Sequence, residues 1–149
     1  MRVAIEGFAL DEAGVWVAQL ACGHHQHVRH APPWQERAWV TTASGRDSQR
    51  GALLECHACE MGQIPGDCAA YQRTKTFTEE TVPHALTHDH QTKAGVWGRI
   101  VIEFGTLEYQ CARGVFLLLP GIAGIVEPSK PHAGRVVGPV RFHVEFLRA

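Results

Sequence analysis

Three cysteines and a run of histidines fall in two short stretches whose spacing suits a metal ion. The first is Cys22-Gly23-His24-His25-Gln26-His27-Val28-Arg29-His30; the second is Cys56-His57-Ala58-Cys59. A structural zinc site takes four thiolate or imidazole ligands in a tetrahedron. Cys56 and Cys59 form one two-ligand knuckle, and Cys22 is a natural third ligand. His24 is the expected fourth, because Gly23 provides the tight turn that brings Cys22 and His24 to one ion. His25 would restore a two-residue gap and stays a rival, while His27 and His30 lie further along the chain. Cys-x-x-Cys also serves redox chemistry, but there it opens a helix in a βαβ setting, which the flanking sequence does not show. With His24 on the ion, His27, Arg29 and His30 remain as a basic polar strip, read first as a solvated or hydrogen-bonded strand.

A second cluster follows in the C-terminal half: His88-Asp89-His90, then His132, then His143 and Glu145. On a strand His88 and His90 face the same side. Imidazole and carboxylate ligands with open positions suit Fe2+, Zn2+, Mn2+ or Ni2+ alike, and Fe2+ or Zn2+ is the ion expected. Lys93 and Arg99 are candidates to hold an anionic ligand beside it. No catalytic residue can be named from the sequence.

The elements that must carry these residues are short and turn-rich. Gly7 to Leu10 and Val15 to Ala21 read as a β-hairpin about Asp11-Glu12-Ala13-Gly14, with Cys22 at the end of its second strand. Pro32-Pro33-Trp34 stiffens the path. Trp39 to Thr42 is a candidate strand, residues 47–54 are a short helix or a loop, and Cys56 to Cys59 is a knuckle-like turn. Gly62 to Asp67 marks the end of a first module. In the second, Arg99 to Phe104 and Leu107 to Gln110 are expected as hairpin partners about Gly105, followed by strands at Val115 to Leu119 and Gly124 to Val126. Val140 to Leu147 alternates most clearly: Val140, Phe142, Val144 and Phe146 share one face, and Arg141, His143 and Glu145 the other.

The 149 residues fit one ordinary domain or two small ones, and 14 basic against 15 acidic residues give no electrostatic case for nucleic acid or an anionic membrane. No apolar run reaches the length of a membrane helix, and no signal-peptide core opens the chain, so a soluble, cytoplasmic protein is expected. With five cysteines, two of them in Cys-x-x-Cys, a reducing compartment favours metal over disulfide.

The first half resembles a small bacterial domain family of unknown function. The matching pieces are Asp11 to Gly14, Trp16-Val17-Ala18, the Cys22 to His30 run, Pro32-Pro33-Trp34, Gly45-Arg46 and Cys56-x-x-Cys59. The second half resembles the cupin-like domain of tellurite-resistance (TehB-like) proteins and of relatives linked to nitrate or nitric-oxide response. That likeness rests on His90-x-Thr92-Lys93-Ala94-Gly95-Val96-Trp97-Gly98-Arg99, on Glu127-Pro128-x-x-Pro131-His132 and on Phe142-x-Val144-Glu145-Phe146. It implies a cupin barrel holding a metal through an early histidine pair, a carboxylate and a later histidine. His90, His132 and His88 match the histidines. The usual carboxylate place is taken by Gly98, so Glu145 is the substitute, with His143 its rival. The stretch from Tyr109 to Val115 is short for the family.

The expected protein is mainly β: a zinc-ribbon-like module at 1–66, a linker at 67–75, and a cupin-like β-barrel (double-stranded β-helix) at 76–149. The function implied is a cytoplasmic metal-binding protein of the bacterial oxyanion, nitrate or nitric-oxide stress response, whose His/Glu metal site in the cupin barrel is a candidate for reactivity. Zn2+ would be structural in the first module and a second divalent ion would sit in the barrel, facing a small anion or gaseous ligand. The alternative is a non-catalytic, zinc-stabilised binding or sensor module. The cupin likeness is compatible with a homodimer.

Overall fold

The computed structural model describes residues 1–88 and 90–149. Asp89, the centre of His88-Asp89-His90, lies outside the described residues. The chain divides into two compact units, Met1–Gly62 and Gln63–Ala149.

In the first unit Asp11 makes the turn. Its Oδ1 accepts from the Ala13 and Val15 N–H groups at 2.9 and 2.8 Å, and Gly14 takes the left-handed φ that the turn requires. Strands β1 (Arg2–Leu10) and β2 (Trp16–Leu20) pair across it. The short β3 (His25–His27) and β4 (Leu53–Glu55) complete an antiparallel sheet of order β3-β2-β1-β4. Alternation sends Val3 and Ile5 inward, where they meet Ala18, Leu20, Val28, Val40 and Cys56. Trp16 and Trp39 pack against this cluster, and the Arg46 guanidinium lies 3.8 Å above the Trp16 ring.

The strand expected over Trp39 to Thr42 is instead a 3₁₀ turn (Ala38–Thr41) leading into helix α1 (Ala43–Ser48). Thr42 is the reason: its hydroxyl caps α1 by accepting from Gly45 N–H at 3.0 Å. That local bond competes with a sheet ladder. The knuckle at Cys56 to Cys59 opens helix α2 (His57–Met61), with Cys56 at the N-cap.

The second unit is an antiparallel sheet of β5 (Ala69–Arg73), β6 (Phe77–Thr78), β7 (Trp97–Cys111), β8 (Gly114–Leu118), β9 (Gly124–Val126) and β10 (Ala133–Arg148). Its main order is β5-β10-β7-β8, with β6 also on β10 and β9 also on β7. The segment 67–75, expected as a linker, contains β5, which pairs with the end of β10. Its five residues are all exposed, so no apolar alternation marks it as a strand.

The hairpin expected about Gly105 is one continuous strand. Phe142 pairs with Ile102 and Arg141 with Phe104, so Glu103 is an extra residue on β7. Such a bulge flips the facing of everything beyond it. Gly98, Ile100 and Ile102 are buried before it, and Gly105, Leu107 and Tyr109 after it. Gly105, at φ +77, faces the excursion of β10 between Val136 and Val140, and any Cβ there would run into the Pro139 carbonyl. The true hairpin comes later, where Cys111 pairs with Gly114. The two long strands bend at these irregularities, and the sheet curls around the inward row of β10.

Candidate metal centre and barrel pocket

Cys22, His24, Cys56 and Cys59 converge, with one donor atom from each lying within 4.8 Å of the others. The Cys22–Cys56 sulfur separation is 3.6 Å, too long for a disulfide. The His24 Nδ1 atom lies 3.4 Å from Cys22 Sγ, 3.4 Å from Cys56 Sγ and 3.3 Å from Cys59 Sγ. Tetrahedral Zn–S and Zn–N bonds of about 2.3 and 2.0 Å require S···S edges of about 3.8 Å and S···N edges of about 3.5 Å. The four donors therefore stand close to the corners of a metal tetrahedron, and the cluster suits a metal ion such as zinc.

Two loops build it. Gly23, at φ +89, closes the β2–β3 turn, whose ends are tied by Leu20 N–H to the His24 carbonyl at 3.0 Å and Gly23 N–H to the Leu20 carbonyl at 2.9 Å. The Cys56 N–H donates to the Met1 carbonyl at 3.0 Å, fixing the second knuckle to β1. The His24 backbone N–H lowers the Cys22 thiol to about 7, with help from the neighbouring thiols. Burial, then the Cys56 and Cys22 sulfurs, push Cys59 up to about 12. A bound dication would favour the thiolate form of all three cysteines.

Gln26 is a participant that the sequence reading passed over. It lies two residues from His24, on the same side of the chain. Its Nε2 donates to the Glu55 carbonyl at 2.7 Å and its Oε1 accepts from His57 N–H at 2.7 Å. One amide so clamps β3 to the knuckle. On β3 His25 and His27 are exposed and Gln26 is half-buried between them. His25, the rival to His24, is outside the quartet. His27 Nε2 bonds Asp11 Oδ2 at 2.7 Å, and His30 Nδ1 accepts from Arg37 N–H at 3.0 Å. In Asp11 the Val15 N–H, followed by His27, holds the carboxyl below its ordinary range.

In the barrel the structure brings together His90 and His132 but not the other two residues expected with them. His90 and His132 exchange both backbone hydrogen bonds, at 2.7 and 2.9 Å, and their rings meet edge to face at 5.4 Å. Both line a pocket of about 550 Å³, open mouth included, with inward residues of β7, β9 and β10. Glu145 lies on the opposite face of β10 from Phe142, Val144 and Phe146, which line the pocket, and it pairs with Arg99 at 3.4 Å. A period of two makes that separation unavoidable. His88 stacks on His84 at 4.0 Å, with its Nδ1 held by Thr87 Oγ1 at 3.0 Å. His143, the rival of Glu145, bonds Glu103 at 2.9 Å, also on the outer face. Lys93 is exposed in the turn closed by Val96 N–H on its carbonyl. Among the described residues the Cys22 quartet is the one group of three or more metal-ligating side chains brought together.

His132 is buried, and burial lowers its pKa, with the nearby His90 adding to the effect. Its Nδ1 lies 3.3 Å from the Lys130 carbonyl.

Residues 6–63 match the family model described as Protein of unknown function (DUF3565). Residues 72–144 match that of the TehB-like domain. A search of curated proteins found no match. Among solved structures, a protein from E. coli (strain K12) is 23% identical, the match covering 58% of this chain and 96% of that one at a TM-score of 0.53. TehB from Haemophilus influenzae is 20% identical over 56% of this chain, at a TM-score of 0.51. The match spans only 32% of that TehB chain. These likenesses show the fold of the second unit.

Proposed function

We propose that this chain, a DUF3565 domain joined to a TehB-like domain, is a zinc-stabilised binding protein of the bacterial oxyanion-stress response, of the tellurite type. It acts by binding rather than by turnover. The observation that carries this reading is the quartet of Cys22, His24, Cys56 and Cys59. Three sulfurs and one imidazole at tetrahedral spacing favour Zn2+ over the harder divalent ions, and a closed four-ligand shell leaves no position for a substrate. Its role is then structural: it staples a unit of 62 residues whose own core is small. The reduced thiols fit a cytoplasmic setting.

The barrel supplies the binding site. A second divalent ion there, Fe2+ or Zn2+, would rest on His90 and His132 and complete its shell with water or ligand oxygens, because Glu145 and His88 face elsewhere. Such an ion would supply the positive charge for a small anion, nitrate or nitric oxide that Arg99 and Lys93 do not bring to the pocket. Nitrate or nitric-oxide stress, a homodimer, and function without nucleic acid or membrane complete the proposal.

Elemental analysis of the anaerobically purified full chain tests it. One equivalent of zinc is expected, lost in Cys56→Ser. A second equivalent lost in a His90→Ala, His132→Ala double variant would add the barrel ion. Protein that folds and carries no zinc would sink the reading.

A further inference from the structure

Two buried side-chain atoms of the first unit have no hydrogen-bond partner among the described residues: Gln35 Oε1 and Arg37 Nη1. Gln35 is only 6% exposed, and Arg37 is half-buried. Both stand on a segment that is tied down. Gln35 and Ala31 exchange backbone hydrogen bonds at 2.8 and 3.1 Å. The Arg37 N–H donates to His30 Nδ1 at 3.0 Å, and the Arg37 carbonyl accepts from Val40 N–H at 2.9 Å. Glu36, between the two, is exposed, so alternation turns Gln35 and Arg37 to the same side of the chain. Their backbones are satisfied, and the unmet demand lies in the side chains.

An unpaired buried polar atom is costly, and one that belongs to a charged group is costlier still. Other arginines of the unit have partners. Arg2 lies 3.8 Å from Glu55, Arg50 lies 3.4 Å from Asp47, and Arg46 donates to the Val40 carbonyl at 2.8 Å. Arg37 is different: burial lowers its pKa, and no carboxylate among the described residues offsets the effect. It stays cationic all the same, because a guanidinium does not lose its proton in a protein. A buried donor of fixed positive charge calls for an anion. Gln35 Oε1 is an acceptor and calls for a hydrogen. An oxyanion that keeps one proton in neutral water meets both demands, with bare oxygens towards Arg37 and its O–H towards Gln35.

From this we infer that the first unit holds a site for a small protonated oxyanion, bound between the Arg37 guanidinium and the Gln35 amide. Hydrogen phosphate and the acid forms of selenite and tellurite belong to this class; nitrate and sulfate, which carry no proton, do not. The enclosure of Gln35 favours the free ion over the same group on a larger molecule. The inference goes beyond the barrel reading, since this site would stand even if the barrel bound nothing.

The test uses the full-length zinc-bound protein at neutral pH and constant ionic strength, with phosphate, sulfate, nitrate and phenyl phosphate as probes. Calorimetry gives affinities, and backbone amide shifts of Gln35, Glu36 and Arg37 give the location. Phosphate is expected to bind saturably and to move these three amides. Sulfate has the same shape without the proton. It should bind at least about tenfold more weakly, because the Gln35 oxygen would face a bare anion oxygen. Phenyl phosphate should be weaker by at least about threefold. Arg37→Met keeps the apolar stem and removes the charge, and phosphate affinity should fall at least about tenfold. Gln35→Glu puts the anion into the chain itself. It should lose phosphate binding likewise, and it serves where Arg37→Met does not fold. Amides 35–37 unmoved by every probe would mean that water alone meets these atoms, and the inference would be overturned. The same holds if sulfate, nitrate or phenyl phosphate binds as tightly as phosphate, or if phosphate affinity is unchanged in Arg37→Met. Metal analysis and the barrel amides of the same samples separate the failures. Missing zinc removes the reading of the first domain, whereas phosphate shifts confined to Gly98 and Gly134, with zinc in place, favour the barrel site and remove this inference alone.

Discussion

Replacing Gln26 by alanine should weaken zinc binding without touching a ligand. The Gln26 amide makes two short bonds, to the Glu55 carbonyl and from His57 N–H, both 2.7 Å. They flank Cys56 on either side and hold it against the strand that follows His24. A neutral hydrogen bond is worth about 0.5–1.5 kcal/mol net, so the pair is worth about 1–3 kcal/mol. If the whole loss falls on the ion-bound form, zinc affinity drops by roughly 5- to 150-fold. Outer-shell partners of metal ligands typically contribute about 10- to 100-fold, within that range. The ion-free form also has these bonds, so part of the loss should appear as lowered stability instead. Competition against a chromophoric chelator reads the first part, and denaturant unfolding of the chelated protein reads the second. The two should sum to the estimate. Gln26→Glu keeps the acceptor for His57 N–H and loses the donor to Glu55, so it should fall between wild type and alanine. Were Gln26→Ala to match wild type in both assays while Cys56→Ser lost its zinc, the clamp would have no energetic role.

Other expectations follow from the second unit. His132 has a pKa below its ordinary 6.5 because it is buried. The unfolded chain therefore takes up the proton first, and the His132 contribution is complete above 6.5 and fades as pH falls through and below it. Thermal unfolding of wild type should lose more stability than His132→Phe between about pH 7 and pH 5; parallel curves would refute the assignment. Gly105→Ala places a Cβ at φ +77 against the Pro139 carbonyl. The left-handed backbone alone costs about 1–2 kcal/mol, so denaturant unfolding should show at least that loss, with the contact adding to it. A Gly105→Ala protein as stable as wild type would show that β10 can shift without cost.

Residue type and spacing along the chain were enough to find the first site. Cys-Gly-His and Cys-x-x-Cys are local patterns, each built within a single turn, and one turn's geometry depends little on what surrounds it. The β1–β2 hairpin was legible for the same reason, because Asp11 and Gly14 encode it over four residues. The choice of His24 over His25 needed the fold. It turns on which side of β3 meets the Cys56 knuckle, and that is a contact across 32 residues of sequence. Gln26 stayed hidden because an amide becomes informative only when its two partners are in place.

The barrel site divides along the same line. His90 and His132 were named by their likeness to a family pattern, and the pairing of their backbones puts them side by side. Glu145 was named from the alternation of its strand, which groups it correctly with His143 and away from Phe142 and Val144. Alternation cannot say which of the two faces is inside. The curl of the sheet decided that, putting the aromatic row around the pocket and the carboxylate outside with Arg99. The extra residue at Glu103 was equally unreadable. A bulge is set by the register of two long strands against each other, and register is energetic bookkeeping over the whole sheet rather than a property of any short stretch.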